Sequence, residues 1–252
     1  MKLCRFEHKG RIEWGKVENE RVAVLKSDPF AAEIQFFESG FRLDEIRLLA
    51  PCEPTKVVCV GVNYLEHAAE LDSNVNPEPI IFLKPVSALI GPEDTIELPK
   101  MSENVHYEGE LAVVIGRRCK DVTAAEAVTC ILGYTCANDV TARDLQRVDG
   151  QWTRAKGFDT FLPVGPFLET KPELERGLSI KTEVNGEVRQ DGDTKDMRHS
   201  PAELVSFISR IMTLMPGDLI LTGTPEGVGP IISEDIVTVT IEEIGALRNF
   251  VK

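Results

Sequence analysis

Tyr107-Glu108-Gly109-Glu110-Leu111-Ala112-Val113-Val114-Ile115 places two carboxylates directly ahead of five uninterrupted apolar residues. The apolar half reads as a core strand. In an extended segment, residues i and i+2 point to one face at roughly 6.5 to 7 Å along the chain, so Glu108 and Glu110 can converge on one ion. The spacing alone does not single them out, since acid-x-acid recurs at Glu18/Glu20, Glu173/Glu175 and Asp191/Asp193. What sets this pair apart is the strand it enters. Carboxylates at the margin of a dry interior need a compensating cation.

A third acid, Asp139, follows the apolar run Ile131 to Ala137, and an acid ending one buried strand can meet a pair that begins another. Read alone, Asp139 is equally a turn residue. Three carboxylates without cysteine or obligatory histidine describe a hard-cation site, Mg2+ or Mn2+, with Ca2+ a poorer match. His106, two before Glu108, is a reserve ligand. His67 and Glu70 are three apart on a helix expected over Tyr64 to Leu71, hence on one face, where they form either a general-base dyad or a surface ion pair. Gly223-Thr-Pro-Glu-Gly227-Val-Gly229 lacks the Gly-Lys-Ser/Thr ending of a phosphate loop. Its amides can bind a carboxylate, or its glycines can serve only positive backbone dihedrals. Lys156, amid small and apolar residues, can polarise a carbonyl if partly desolvated.

The chain has 252 residues with 28 Lys or Arg against 41 Asp or Glu, a net charge of −13. That balance, with scattered bases, argues against nucleic acid and against an anionic membrane surface. Its longest apolar runs fall far short of the ~20 residues a bilayer needs, and the first residues lack the apolar stretch of a signal peptide, so a cytoplasmic location is expected. Cys4, Cys52, Cys59, Cys119, Cys130 and Cys136 show no C-x-x-C spacing, so neither disulfides nor zinc are expected.

Short alternating runs from Leu3 to Leu25 read as strands, and Asp44 to Ala50 as a short helix. Pro51-Cys-Glu-Pro54 reads as a linker, placing a small N-terminal β-rich domain over residues 1–54 and a larger one over 55–252. Asp72 to Pro79 reads as a mobile loop. Capping boxes at Thr123-Ala-Ala-Glu126 and Ser200-Pro-Ala-Glu203 start two helices, and Asn185-Gly186 marks a hairpin. The tail, Ile236 to Ile241 and Leu247 to Val251, alternates like edge strands. Many strands and about three helices make the fold class α+β, predominantly β.

Six ordered segments resemble the fumarylacetoacetate hydrolase family: Val60-Gly-Val-Asn-Tyr-Leu-Glu-His67-Ala-Ala-Glu70, Ile81-Phe-Leu-Lys84-Pro85, Tyr107-Glu108-Gly-Glu110-Leu111, Asn138-Asp139-Val-Thr-Ala-Arg143-Asp-Leu-Gln146, Ala155-Lys156-Gly-Phe-Asp-Thr160 and Leu221-Thr-Gly-Thr224-Pro-Glu-Gly-Val-Gly229. The resemblance runs from about Lys56 to the C-terminus. It implies a mixed β-sandwich roll with few helices and a homodimer. It implies Glu108, Glu110 and Asp139 as ligands of Mg2+ or Mn2+, His67 and Glu70 as a catalytic dyad on a lid helix, and Lys156 as a catalytic cation. Arg143, Gln146 and Thr224 correspond to substrate-holding positions. The implied substrate is a small 2-oxo acid reacting through an enolate at the divalent cation. The leading expectation is hydrolysis of a C–C bond in an acylpyruvate. Isomerisation or decarboxylation of the 2-hydroxyhepta-2,4-diene-1,7-dioate type and oxaloacetate decarboxylation are alternatives. The rival from another class is a non-catalytic binding protein in which the metal only ties strands together.

Overall fold

The computed structural model describes residues 1–31, 33–70 and 76–252. Its centre is the strand Gly109–Ile115, buried at all seven positions. Antiparallel neighbours flank it, Ile131–Asn138 on one side and Leu219–Leu221 on the other. Beyond Leu219–Leu221 come the parallel strand Val57–Gly61 and the edge strand Ile80–Lys84. On the opposite side Leu162–Glu169 leads to Lys2–His8 and the N-terminal strands, completing a 12-stranded sheet. A five-stranded sheet runs in the order Glu187–Asp193, Ser179–Val184, Ile236–Ile241, Gly245–Val251 and Thr95–Ile96. A three-stranded sheet joins Thr141–Ala142, Val105–Tyr107 and Gly229–Pro230.

Alternation along the central strand divides its side chains among three cores. Leu111 packs with Ile180, Val239 and Leu247 of the five-stranded sheet. Val113 and Ile115 meet Val205 and Ile208 of the helix Pro201–Ile211. Ala112 and Val114, on the other face, share a core with Leu3, Leu25, Cys59, Leu162 and Leu221. Strands far apart in the sheet order thus meet in one interior, so the sheet curls into a roll and a second sheet covers its outer face. This is the expected mixed β-sandwich roll with few helices.

Both capping boxes form, starting helices at Ala124–Ala127 and Pro201–Ile211. Asn185 and Gly186 take φ of 54° and 80° between two strands paired as a hairpin. Three expectations need correction. Asp44 to Ala50 is not a helix: one 3-10 turn, Leu43–Glu45, gives way to the strand Arg47–Leu49, because pairing with Arg5 to Glu7 outweighs local propensity. Neither Ile236–Ile241 nor Gly245–Val251, which contains Leu247 to Val251, is an edge strand: both lie inside the five-stranded sheet, and their alternation reflects one buried and one solvated face. The helix Arg143–Asp149 and the turn of helix Thr153–Lys156 were not foreseen, since their sequences carry no apolar stripe; Gly150, at φ 66°, caps the first. Of the loop expected over Asp72 to Pro79, residues 72–75 lie outside the described residues, as does the last residue of the helix expected over Tyr64 to Leu71. Among the described residues no helix is long and apolar enough to cross a membrane.

One buried acid fixes how the site-bearing strands begin. Asp218, fully buried, accepts hydrogen bonds from Thr55 N (3.0 Å), Thr55 Oγ1 (2.7 Å), Lys56 N (3.1 Å) and Met215 N (2.7 Å), and pairs with the Lys56 ammonium. It clamps the linker to the turn before Leu219, so Val57–Gly61 and Leu219–Leu221 start in register and, being parallel, deliver their ends to one place. Replacing it with Ala strands three backbone N–H groups and an ammonium. Asp218→Ala is expected to lose about 3–5 kcal/mol in equilibrium urea unfolding, and Asp218→Asn less. A loss below about 1 kcal/mol for the alanine variant would show that the clamp does not hold the strands.

Candidate active site

Glu108 sits at a joint between sheets. Val105–Tyr107 belongs to the three-stranded sheet and Gly109–Ile115 to the large one, with Glu108 between them. Glu108 N donates to Asn138 Oδ1 at 2.9 Å, and Asp139 N donates to Glu108 O at 2.8 Å. These bonds extend the Gly109–Asn138 register past the strand end and bring Asp139 beside the pair. A Cβ on Gly109 would lie 2.1 Å from Thr182 Oγ1, so only glycine fits between the two acids. Glu108, Glu110 and Asp139, all buried, offer ligand oxygens within 4.8 Å of one another.

Three bases surround them. Lys84 Nζ donates to Asp139 Oδ1 (2.7 Å) and Val140 O (3.1 Å). Lys156 Nζ bridges Glu108 Oε2 and Asp139 Oδ2, each at 2.7 Å, which leaves one ammonium proton over. Arg143 pairs with the other Glu108 oxygen and donates to Gln146 Oε1 at 2.6 Å, while its buried Nε has no partner among the described residues. Burial alone would raise the Glu108 carboxyl, but Lys156 and Arg143 outweigh it and hold Glu108 well below the usual range. Burial likewise opposes charge on Lys156, yet Asp139 and Glu108 raise it. Among the described residues Glu110 has no such cation. Burial, then Asp139 and Glu108, push its carboxyl well above the ordinary value, and its bond from Gly223 N at 2.6 Å does not compensate.

The dyad stands on the helix Leu65–Glu70, which follows the end of Val57–Gly61. His67 is buried, and its Nδ1 lies 2.9 Å from Glu70 Oε2. Glu70 Oε1 accepts from Gly227 N at 3.1 Å. The glycine-rich loop therefore does bind carboxylates through its amides, and they are the protein's own: Glu110 at Gly223 and Glu70 at Gly227. Both glycines also adopt positive φ, 95° and 92°.

A cavity of about 340 Å3 unites these groups. His67, Glu70, Glu108, Glu110, Asp139 and Arg143 line it, as do Gln146, Lys156 and Thr224. Every residue that the resemblance implies as metal ligand, catalytic group or substrate contact therefore lines one space. Gln146 orients Arg143, and Thr224 uses its only proton on Gly109 O and accepts from Gln190 Nε2, each at 2.8 Å, so it can offer a ligand only a lone pair. His106, the reserve ligand, is not in the cluster. Its Nε2 lies 2.9 Å from Asn104 Oδ1, because the joint at Glu108 breaks the strand alternation that would have aligned the two. Burial, then Arg143, pushes His106 down to about 4. Sequence reasoning gave no role to Lys84, Arg147, Phe82 or Trp152. Lys84 carried a signal: a lysine closing the otherwise apolar Ile80-Ile-Phe-Leu-Lys84 must be paired if that strand is buried.

The donor set fits a hard divalent cation. It offers three carboxylates, and Glu110 is buried at like charges with no cation of its own. Glu110→Gln tests this. Because its folded-state value is raised, Glu110 costs the metal-free protein stability as pH climbs from the ordinary glutamate range toward the raised value. The variant is therefore expected to melt no lower than the parent without metal at neutral pH. Mn2+ at about a hundredfold over Kd should raise the parent's Tm by about 5–10 °C and leave the variant unmoved. An equal rise in both proteins would remove Glu110 from the site.

Comparison with known proteins places this geometry. Residues 56–252 match the family described as fumarylacetoacetate (FAA) hydrolase, C-terminal, and residues 1–51 match Rv2993c-like, N-terminal. The chain is 47% identical over 217 residues to the mitochondrial oxaloacetate tautomerase FAHD2A of Bos taurus, covering 81% of this chain and 69% of that one. Among solved structures, 2-hydroxyhepta-2,4-diene-1,7-dioate isomerase from Mycobacterium marinum superposes with TM-score 0.92 at 48% identity over 100% of this chain and 98% of its own. Fumarylpyruvate hydrolase from Pseudomonas aeruginosa, in complex with Mn2+ and pyruvate, gives TM-score 0.75 at 35% identity over 79% and 90%. By the match across its larger part and by these relatives, the chain belongs to the fumarylacetoacetate hydrolase family.

Proposed function

We propose that the protein is a divalent-metal-dependent enzyme, using Mg2+ or Mn2+, that moves a proton at C3 of a small 2-oxo acid and so interconverts its keto and enol forms. The observation that carries this reading is a buried imidazole, held at Nδ1 by a carboxylate, opening onto the same cavity as three clustered carboxylates. Glu108, Glu110 and Asp139 would hold the ion. When bound, it neutralises negative charge on the substrate's carboxylate and C2 oxygen.

The chain's own groups supply the rest. Glu70 accepts the Nδ1 proton of His67 and thereby fixes the tautomer in which Nε2 is the free base. Gly227 N–H fixes Glu70 in turn. His67 Nε2 removes a proton from C3, and the electron pair moves to the C2 oxygen to give an enolate. The same imidazolium returns the proton to oxygen, or to a carbon further along a conjugated chain. Lys156 offers its remaining proton to the growing negative charge. Similarity to a tautomerase and to a dienedioate isomerase supports this reading.

A second reading, hydrolysis of an acylpyruvate, is favoured by similarity to the fumarylpyruvate hydrolase. It uses the same groups with a water between His67 and the substrate. His67 deprotonates the water, hydroxide adds to the distal carbonyl, the C3–C4 bond breaks with its electrons on C3, and pyruvate leaves as its enolate, later protonated at C3.

His67→Ala is expected to lower the enol–keto interconversion of oxaloacetate, followed by ultraviolet absorbance with Mn2+ present, by about 10²–10⁴-fold. Undiminished turnover in that variant would sink the dyad. Stoichiometric release of pyruvate from 2,4-dioxopentanoate by the parent would instead select the hydrolytic reading.

A further inference from the structure

The helix Arg143–Asp149 carries a second arginine whose position neither the metal cluster nor the dyad explains. Arg143, Gln146 and Arg147 stand at i, i+3 and i+4 and so share one face of the helix. All three line the cavity. Arg143 is buried against Glu108 and Gln146. Arg147 is exposed, and among the described residues it makes no hydrogen bond or ion pair. Its helix does contain acids, but both are engaged elsewhere. Asp144 accepts from Ser102 Oγ at 2.6 Å and Glu103 N at 3.0 Å, and Asp149 accepts from Arg154 Nε at 2.7 Å. Of the cavity's other carboxylates, Glu108, Glu110 and Asp139 are bound as described, and Glu70 is held by His67 and Gly227 N.

The cavity thus has two differently charged ends. At its depth, three acids face three bases and a divalent cation is to be added. At its mouth stand Arg147, unpaired among the described residues, and the apolar surfaces of Trp152 and Phe82, which meet edge to face at 5.1 Å between ring centres. A single carboxylate with its neighbouring oxygen satisfies the deep end alone. Arg147 remains available to a second anion, and a planar guanidinium fork matches a carboxylate in both oxygens.

We propose that Arg147 receives the remote carboxylate of a dicarboxylic 2-oxo acid, and so sets the enzyme's preference for dicarboxylic over monocarboxylic substrates. This rests on the 2-oxo acid reading of the site. Arg147 acts as a specificity residue, remote from the atoms that exchange protons.

The test compares kcat/KM for oxaloacetate and 2,4-dioxopentanoate, with Mn2+, in the parent, Arg147→Gln and Arg147→Lys. Arg147 is exposed at a helix face, so both variants are expected to fold, with Tm read as the control. The ratio of the two kcat/KM values is expected to fall about 10- to 100-fold in Arg147→Gln, the effect of losing a charge-assisted bond, mainly through KM for oxaloacetate, and to be partly restored in Arg147→Lys. Calorimetric binding, independent of turnover, should show the same fall for malate relative to 2-hydroxybutanoate. If the parent turns over both substrates and the ratio stays within about twofold in Arg147→Gln, the assignment of Arg147 is wrong while the 2-oxo acid reading stands. If the parent acts on neither, both readings fall together.

Discussion

Three buried carboxylates with oxygens within 4.8 Å of one another are the constraint around which the structure is arranged. At an effective dielectric of about 20, each such pair of charges repels by about 3–4 kcal/mol, so three pairs together rival the net stability of a whole domain. The cluster persists only because Lys84, Lys156 and Arg143 are brought to it from an edge strand and two separate short helices. Each is nearly inaccessible to solvent and each is paired. The bases satisfy Glu108 and Asp139 but leave Glu110 with a backbone amide alone. That imbalance leaves room, in charge, for one more cation.

The same constraint explains the joint at Glu108. A continuous strand from Val105 to Ile115 would hold Glu108 and Glu110 on one face but nearly 7 Å apart along it. Ending one sheet at Tyr107 and starting another at Gly109 lets the Glu108 side chain turn inward, and Gly109 admits Thr182 at a distance no Cβ would allow. The two neighbouring parallel strands, Val57–Gly61 and Leu219–Leu221, finish beside this joint. One passes to the dyad helix and the other to the glycine-rich loop, and Gly223 and Gly227 of that loop tie Glu110 and Glu70 into a single frame. Base and cluster are therefore held by one loop rather than by independent elements.

How much of this was legible in the sequence follows from what encodes each part. The central strand announced itself through five consecutive apolar residues, and the hairpin at Asn185-Gly186 and the two capping boxes through local chemistry that tertiary contacts need not alter. Residues of the site were legible as types at spacings, and their ordered motifs carried the family. What stayed hidden depended on long-range pairing. Arg47–Leu49 is a strand only because Arg5 to Glu7 is there to receive it. Lys84 is a charge in an apolar strand whose meaning lies 55 residues away in Asp139. The helix Arg143–Asp149 has no apolar stripe because its inner face is polar: Arg143 and Gln146 line the cavity where leucines would ordinarily announce a helix.

The acidic character of the chain also changes meaning once the charges are placed. A net charge of −13 would slow the approach of an anionic substrate if it acted uniformly. It does not, because exposed charges more than about 8 Å from the cavity are screened at physiological ionic strength, whereas buried ones are screened far less. Around the cavity Glu70, Glu108, Glu110 and Asp139 balance Lys84, Lys156, Arg143 and Arg147, a divalent cation would add two positive charges, and Arg147 stands at the mouth unpaired among the described residues. With that cation bound, the field a substrate would meet on entering is positive although the protein as a whole is negative. A deep cationic centre below a separate cationic rim attracts anions by their number of charges and by the distance between them. On the proposed reading, the placement of the cation and of Arg147, rather than the overall composition, would decide which small acids the cavity holds.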